Sequence, residues 1–256
     1  MGMSQSGAHW LSDSKWKIIL ENTRKVSKAV KLSKAKGVLF DPEYYYKNPD
    51  ADPWKYKAEL YNGLTYQQVS AIVKKRGIQF IKALESEKPD IKVLSIWLFG
   101  LIVEQLKHKP LEQIGQALLL PFVEGMLTGK GKKSVIIDGN ESAYWYKTAD
   151  QFFESGNMLR TKGKSLLPKT PKVTSIQVAQ CLYYDGIYDL LPHKKINSSL
   201  QEKEKWFSDN LYNALAATDE YVWLYAEKLN WWKPMKDSST VKLVEGVLKK
   251  YHGSAR

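Results

Sequence analysis

Two spacings of apolar residues alternate along this chain and predict its elements. Short apolar runs are typical of strands, and longer stretches in which apolar residues recur about every three or four positions are typical of helices. The runs predict strands at 36–43, 91–99, 134–138, 173–181 and 220–227. The stretches predict helices at 14–35, 65–86, 111–127, 148–161, 201–216 and 240–251, with Thr148 as the N-cap of the fourth. Strands separated by helices pair in parallel, so we expect an α/β protein.

The number and polarity of the strands suggest an incomplete barrel. A closed (β/α) barrel needs eight strands, whereas this chain of 256 residues offers about five β/α units. In the strand predicted at 220–227, one face carries Trp223, Tyr225 and Glu227, and the run 173–181 also has one polar face. Doubly wound sheets usually bury aliphatic residues on both faces. We therefore expect a single domain that forms a parallel (β/α) barrel lacking its first strands, preceded by the N-terminal helix, with an open doubly wound sheet as the alternative.

The net charge of +12 indicates a basic surface rather than a nucleic-acid site. A nucleic-acid groove favours arginine and aromatic residues interleaved on one element. In this chain the lysines are scattered over loops and helix faces, and arginine is scarce. A positive field would nevertheless attract an anionic polymer, so an acidic polysaccharide is one partner that the charge favours.

Several other classes of protein and site are not expected. No run of about 18 apolar residues could span a membrane. The first residues have neither the basic nor the hydrophobic part of an export signal, so we expect a cytoplasmic protein if Met1 is the natural start. The single cysteine, Cys181, lies in an apolar run and reads as a buried structural thiol. The four histidines are isolated, so neither a zinc site nor any cofactor is predicted.

Acidic and aromatic residues gather where the predicted strands end. Asp41 and Glu43 follow the first strand two residues apart, so their side chains point to the same side. The carboxyl ends of parallel strands meet at one rim, where barrels place their chemistry. The candidate catalytic residues are Glu43, Glu141, Glu227 and Asp41, and the candidate substrate-binding residues are Tyr44, Asp138, Trp145, Tyr225 and Trp231.

This mixture of acids and rings is suited to carbohydrate. Aromatic faces stack on the C–H faces of sugar rings, and carboxylates accept hydrogen bonds from sugar hydroxyls. Two carboxyl groups that flank a glycosidic bond supply a general acid together with a base or nucleophile. Their separation, about 5 Å or about 6.5–9.5 Å, decides between retention and inversion.

Three segments, at 37–43, 136–141 and 220–227, resemble the later strands of (β/α)8-barrel glycoside-hydrolase-like proteins. The resemblance spans roughly residues 36–232 and implies that the first segment corresponds to the fourth barrel strand. Glu43 would then be the acid/base residue of a poly- or oligosaccharide hydrolase. The usual nucleophile strand corresponds to 173–181, which offers no carboxylate before Asp185. The resemblance therefore implies Glu141 or Glu227 as the partner of Glu43.

Two other interpretations remain open. The chain could be a barrel remnant that binds carbohydrate or serves a structural role without catalysis, with Asp41 only orienting Glu43. Since an incomplete barrel exposes strand edges, such a remnant would pair with a second copy or be covered by its N-terminal helix. Alternatively, Asp41, Glu43 and Asp138 could hold a hard divalent cation in a metal-assisted enzyme acting on phosphate or uronate substrates.

Overall fold

The computed structural model describes residues 10–45, 52–190, 198–228 and 239–254, and shows helices alternating with short parallel strands. The predicted α/β class is confirmed, whereas the barrel stays a prediction. Among the described helices, none is long and apolar enough to cross a membrane. The helices are α1 (Asp13–Leu32), α2 (Tyr66–Glu85), α3 (Gly100–Gln105), α4 (Leu119–Gly129), α5 (Ala149–Met158), α6 (Pro171–Thr174), α7 (Tyr184–Ile187), α8 (Leu200–Ala217) and α9 (Ser239–Ser254). The strands are β1 (Gly37–Phe40), β2 (Lys92–Ser95), β3 (Val135–Asp138), β4 (Gln177–Val178), β5 (Gln180–Tyr183) and β6 (Val222–Tyr225).

The chain divides into two compact units, and each has its own core. Unit 1 comprises Met1–Asp138 and Thr161–Ile176, and unit 2 comprises Gly139–Arg160 and Gln177–Arg256. The sequence predicts that the whole chain folds as one domain, and this stays a prediction.

Unit 1 contains a parallel sheet whose strands end level with one another. β1 pairs with β2 and β2 with β3, so that Phe40, Ser95 and Asp138 occupy one register position at the carboxyl ends.

The first two long helices of unit 1 begin at defined caps. Ser12 accepts a hydrogen bond from the backbone of α1, and Thr65 forms a reciprocal capping box at the start of α2.

An aromatic cluster centred on Phe122 of α4 fills the core of unit 1. The centroid of the Phe122 ring lies 5.3 Å from Phe80, 5.5 Å from Trp54 and 5.6 Å from Trp10. The two indoles are also satisfied as donors, since Trp54 donates to the Pro42 carbonyl (2.5 Å) and Trp10 to that of Pro53 (2.7 Å). The bond from Trp54 therefore ties the segment after β1 to the core.

Helices α2 and α4 approach so closely that glycine is required at their contact. A Cβ atom added at Gly77 would lie 2.2 Å from the carbonyl oxygen of Phe122, and one added at Gly125 would lie 2.1 Å from that of Lys74. Both distances are far inside van der Waals contact, and both neighbours are backbone atoms. The two helices therefore pack backbone against backbone at this point.

Unit 2 is built around β5, β6 and helix α8. β5 and β6 pair in parallel, with Gln180 opposite Val222 and Tyr183 opposite Tyr225. Capping boxes at Thr148 and at Ser199 start α5 and α8, which confirms the predicted cap at Thr148. Fully buried apolar residues from α5, β5 and α8 form the core, among them Phe152, Leu182, Phe207, Leu211 and Ala214.

The strand predicted at 173–181 is wrong over its first part. Residues Pro171–Thr174 form helix α6, because Pro171 fits the first turn of a helix, and the strand resumes only as β4 and β5. β5 is buried at all four positions, so its faces do not alternate as the barrel interpretation assumed. The helix predicted at 111–127 is likewise a single 3-10 turn, Leu111–Gln113, followed by α4.

We predict that Gly77→Ala destabilises the protein while Gly246→Ala does not. The added methyl group at Gly77 must displace the α4 backbone, which should lower the free energy of unfolding by about 1–3 kcal/mol. Gly246 lies within α9, and a Cβ atom there would meet nothing within 4 Å. Alanine at that position should raise stability by about 0.5–1 kcal/mol. Urea unfolding followed by circular dichroism measures both, and equal midpoints for the two variants would contradict the close contact.

Candidate functional site

In unit 1 the predicted acids that follow β1 are joined by a tyrosine. The backbone N–H of Glu43 donates to Asp41 Oδ1 (2.8 Å), so Asp41 orients the turn that carries Glu43. The hydroxyl of Tyr45 donates to Asp41 Oδ2 (3.0 Å) and also to the Glu43 carboxylate. Tyr44, a predicted sugar contact, lies between Glu43 and Tyr45 in the sequence and is partly buried. This group supplies two carboxylates and one exposed ring, that of Tyr45.

The Asp138 side chain accepts hydrogen bonds from the backbone and does not face solvent. Its side chain is fully buried, and its two carboxylate oxygens accept hydrogen bonds from the N–H groups of Leu98 (3.2 Å) and Phe99 (2.9 Å). These donors precede α3, so the carboxylate caps the turn after β2. Because no surface of Asp138 is available to a sugar, we leave this residue out of the candidate site.

In unit 2 the pairing of β5 with β6 brings aromatic residues onto one face. Alternate residues of a strand share a face, so Tyr183 of β5 lies beside its partner Tyr225 of β6, with ring centroids 5.3 Å apart. Tyr144 stacks on Tyr225 at 5.4 Å with an interplanar angle of 16°. Trp145 meets the Tyr183 ring edge-on at 5.7 Å, and Trp223 meets Tyr144 at 5.6 Å. We call these five residues the aromatic face.

The 3-10 helix Glu141–Trp145, which carries two of these rings, is fixed by buried hydrogen bonds. It begins after Asn140, which adopts a left-handed conformation (φ 47°) that asparagine tolerates better than most residues. The Asn140 amide donates to Gln180 Oε1 of β5 (2.7 Å) and to Ser155 Oγ of α5 (2.9 Å). Trp223 of β6 donates to the carbonyl of Gly139 (2.8 Å). The loop that presents the rings is therefore held by both strands.

Two carboxylates lie beside the aromatic face. Glu227 follows β6, is exposed, and accepts a hydrogen bond from the Tyr225 hydroxyl (3.1 Å). Glu141 opens the 3-10 helix and is half-buried. Burial raises the pKa of Tyr144, and the neighbouring Cys181 and Glu141 raise it further. Burial also raises the pKa of Tyr183, with a smaller contribution from the Glu227 carboxylate. Both phenols therefore stay neutral near pH 7 and keep their hydroxyl protons.

The predicted site residues belong to both units. Unit 2 holds Glu141, Trp145, Tyr225 and Glu227, all at the aromatic face, and unit 1 holds Asp41, Glu43, Tyr44 and Asp138. Trp231 lies outside the described residues. Within the described part of the chain, no three histidine, cysteine, aspartate or glutamate side chains form a group that could hold a metal ion. Asp41, Glu43 and Asp138 are therefore not assembled into the cation site considered above.

Sequence reasoning missed Tyr144, Tyr183 and Trp223 as site residues. The alternation of Trp223 with Tyr225 was visible in the sequence, but the register that places them opposite Cys181 and Tyr183 was not. The sequence alone shows Asp185 only as the first carboxylate after the strand predicted at 173–181. In the structure its side chain is fully buried, and its Oδ2 accepts the backbone N–H groups of Glu227 (2.6 Å) and Lys228 (3.0 Å).

A pocket of about 470 Å³ in unit 1 is less suited to chemistry. It lies beside α4 and α6, and most of its lining is apolar. The Glu124 carboxylate at this pocket is paired with Lys74 at 2.6 Å. The pocket thus lacks both the paired acids and the rings of the aromatic face.

Comparisons of this chain with protein-family models, curated proteins and solved structures find no match. What the protein does must therefore be inferred from its own residues. The aromatic face is the place in the described structure where several contacting rings lie beside carboxylates on a loop held by buried hydrogen bonds.

We predict that Cys181 is unreactive in the native protein. The side chain is fully buried, and burial raises the pKa of the thiol well above its usual value. The reagent 5,5′-dithiobis(2-nitrobenzoate) should therefore label it only after unfolding. Because the Tyr144 ring packs against the buried cluster that contains Cys181, Tyr144→Ala should expose the thiol and speed native labelling by about 10-fold or more.

The matched control for this labelling is Tyr212→Ala. Tyr212 is a unit 2 tyrosine on α8 that packs against Tyr251, at 5.9 Å between ring centroids. Its removal should leave the labelling rate of Cys181 unchanged. Rapid labelling of the wild-type protein would show that the aromatic face does not cover the thiol.

Proposed function

We propose that this protein is a glycoside-hydrolase-like protein that binds a poly- or oligosaccharide at the aromatic face of unit 2. The stacked pair of Tyr144 and Tyr225, with exposed Trp145 beside it, is the observation that supports this proposal most strongly. Trp145 is 52% exposed although it lies on a fixed loop, so its ring can meet a ligand at little cost in conformational entropy.

The chemistry around the rings favours sugar over other ligands that stack. Neutral phenols and carboxylates can donate to and accept from the hydroxyl groups of a pyranose ring. Single-stranded nucleic acid also stacks on aromatic rings, but it needs a positive groove for its phosphates. The aromatic face is instead bordered by Glu141 and Glu227, whose carboxylates repel phosphates. These acids also favour a neutral polysaccharide over an anionic one, despite the net charge of +12.

A second candidate function is glycosidic cleavage. It is favoured by the two carboxylates, Glu141 and Glu227, that lie beside one aromatic face. In that reaction one carboxyl group protonates the leaving glycosidic oxygen, and the other activates water or attacks the sugar carbon. Glu141 follows β3 and Glu227 follows β6, and in the (β/α) barrels that the sequence resembles the catalytic groups likewise follow strands. The sequence instead predicts Glu43 of unit 1, which accepts a hydrogen bond from Tyr45, as the proton donor.

We predict that Trp145→Ala weakens polysaccharide binding while Phe153→Ala does not. The protein is run through native gels containing starch, laminarin, carboxymethylcellulose or polygalacturonate, and retardation gives the affinity. Loss of one stacking ring should weaken binding by about 10-fold, equivalent to about 1.4 kcal/mol. Phe153 is a matched control, because this unit 2 ring is 48% exposed and lies on α5. No retardation of the wild-type protein in any gel would overturn the carbohydrate proposal.

We further predict that new reducing ends, if cleavage occurs, depend on the acids at the aromatic face. Glu227→Gln and Glu141→Gln keep the shape of each side chain and should abolish product while retaining binding. Glu43→Gln is assayed alongside them. If Glu43→Gln abolishes product, the proton donor is Glu43 of unit 1, as the sequence predicts. Retardation in the gels without product from the wild-type protein would favour the binding function over cleavage.

A further inference from the structure

Asp185 joins the ends of the two strands that form the aromatic face. It lies in the first turn of α7, directly after β5, and its Oδ2 accepts the N–H groups of Glu227 and Lys228, directly after β6. The last paired residue of β6 is Tyr225, so these two N–H groups lie beyond the hydrogen-bond ladder of the strands. The buried carboxylate supplies the acceptor that the ladder no longer provides.

Only one oxygen of this carboxylate is hydrogen-bonded among the described residues, which indicates that Asp185 acts mainly by accepting the N–H groups of residues 227 and 228. Asp185 Oδ1 is buried and has no hydrogen-bond partner among the described residues. A buried acceptor without a partner is costly, so such exceptions call for an explanation. The two backbone N–H groups that donate to Oδ2 offset that cost and fix the backbone that carries Glu227.

We propose that Asp185 is the positioning residue for Glu227, the acid beside the aromatic face. By holding the backbone of Glu227 and Lys228, it keeps the Glu227 carboxylate within reach of the Tyr225 hydroxyl (3.1 Å) and beside the rings. The anchoring of the backbone stands on geometry alone. The role of the anchored carboxylate toward sugar rests on the proposed function.

The first test is amide hydrogen exchange of the wild-type protein, resolved at residues 227 and 228. Both side chains are exposed, and both amides lie outside β6, so unanchored amides would exchange at the free-peptide rate. Anchoring to a buried carboxylate should slow both amides by at least about 10-fold. Exchange at the free-peptide rate would overturn the inference without the need for any variant.

Three variants then separate positioning from general stability. Asp185→Ala removes the acceptor and should return both amides to fast exchange. Asp185→Asn keeps one carbonyl oxygen in place and should preserve most of the protection. The matched control is Asp219→Ala, because Asp219 is a second unit 2 aspartate whose Oδ2 accepts a backbone N–H, that of Val178 (2.7 Å). Its removal should speed exchange at 178 and leave 227 and 228 protected.

The same variants are run in the starch, laminarin, carboxymethylcellulose and polygalacturonate gels. Asp185→Ala should weaken binding to the retained polysaccharide by about 10-fold, Asp185→Asn should restore it, and Asp219→Ala should not change it. Fast exchange at 227 and 228 with unchanged retention would overturn the positioning role. If the wild-type protein is retained by none of the four, the carbohydrate proposal fails, and the exchange data still decide whether Asp185 anchors the backbone.

Discussion

The candidate site depends on the parallel register of β5 on β6. Because Tyr183 pairs with Tyr225, their rings lie side by side, and Cys181 and Trp223 follow on the same face. Side chains alternate with a period of two, so a slip of one residue would turn the opposite set toward the rings. Leu182 then would replace Tyr183, and the stack with Tyr144 would be lost. The core of unit 2 opposes that slip, because Leu182 is fully buried there and would have to leave it.

Polar contacts then fix what the core cannot specify. The apolar core holds the strands together, but it does not set the path of the chain beyond their ends. Asn140 ties the loop after β3 to Gln180, and Trp223 ties the same loop to β6. Asp185 does the same for the residues after β6. Each of these bonds is buried or partly buried, where a lost partner is costly, so the rings and acids are presented on backbone with few alternatives.

The sequence predicted what local periodicity and capping determine. It placed α1, α2, α5, α8 and α9 close to their observed bounds and identified the cap at Thr148, since these depend on neighbours along the chain. It began α4 too early and did not predict α3. It failed where the outcome depends on distant partners. The sequence predicts one strand at 173–181, because apolar periodicity alone does not distinguish a strand from a short helix that begins at Pro171. Asp138 read as a ligand contact because its backbone partners, Leu98 and Phe99, are 40 and 39 residues away in the sequence.

The central claim is that the aromatic face of unit 2 is where sugar binds. A crystal structure of the protein soaked with an oligosaccharide, cut from whichever polysaccharide retards it, tests that claim most directly. We expect a pyranose ring against Tyr225 or Trp145, with a hydroxyl within hydrogen-bond distance of Glu227. A sugar bound beside Asp41 and Glu43 in unit 1, with the aromatic face empty, would contradict the account.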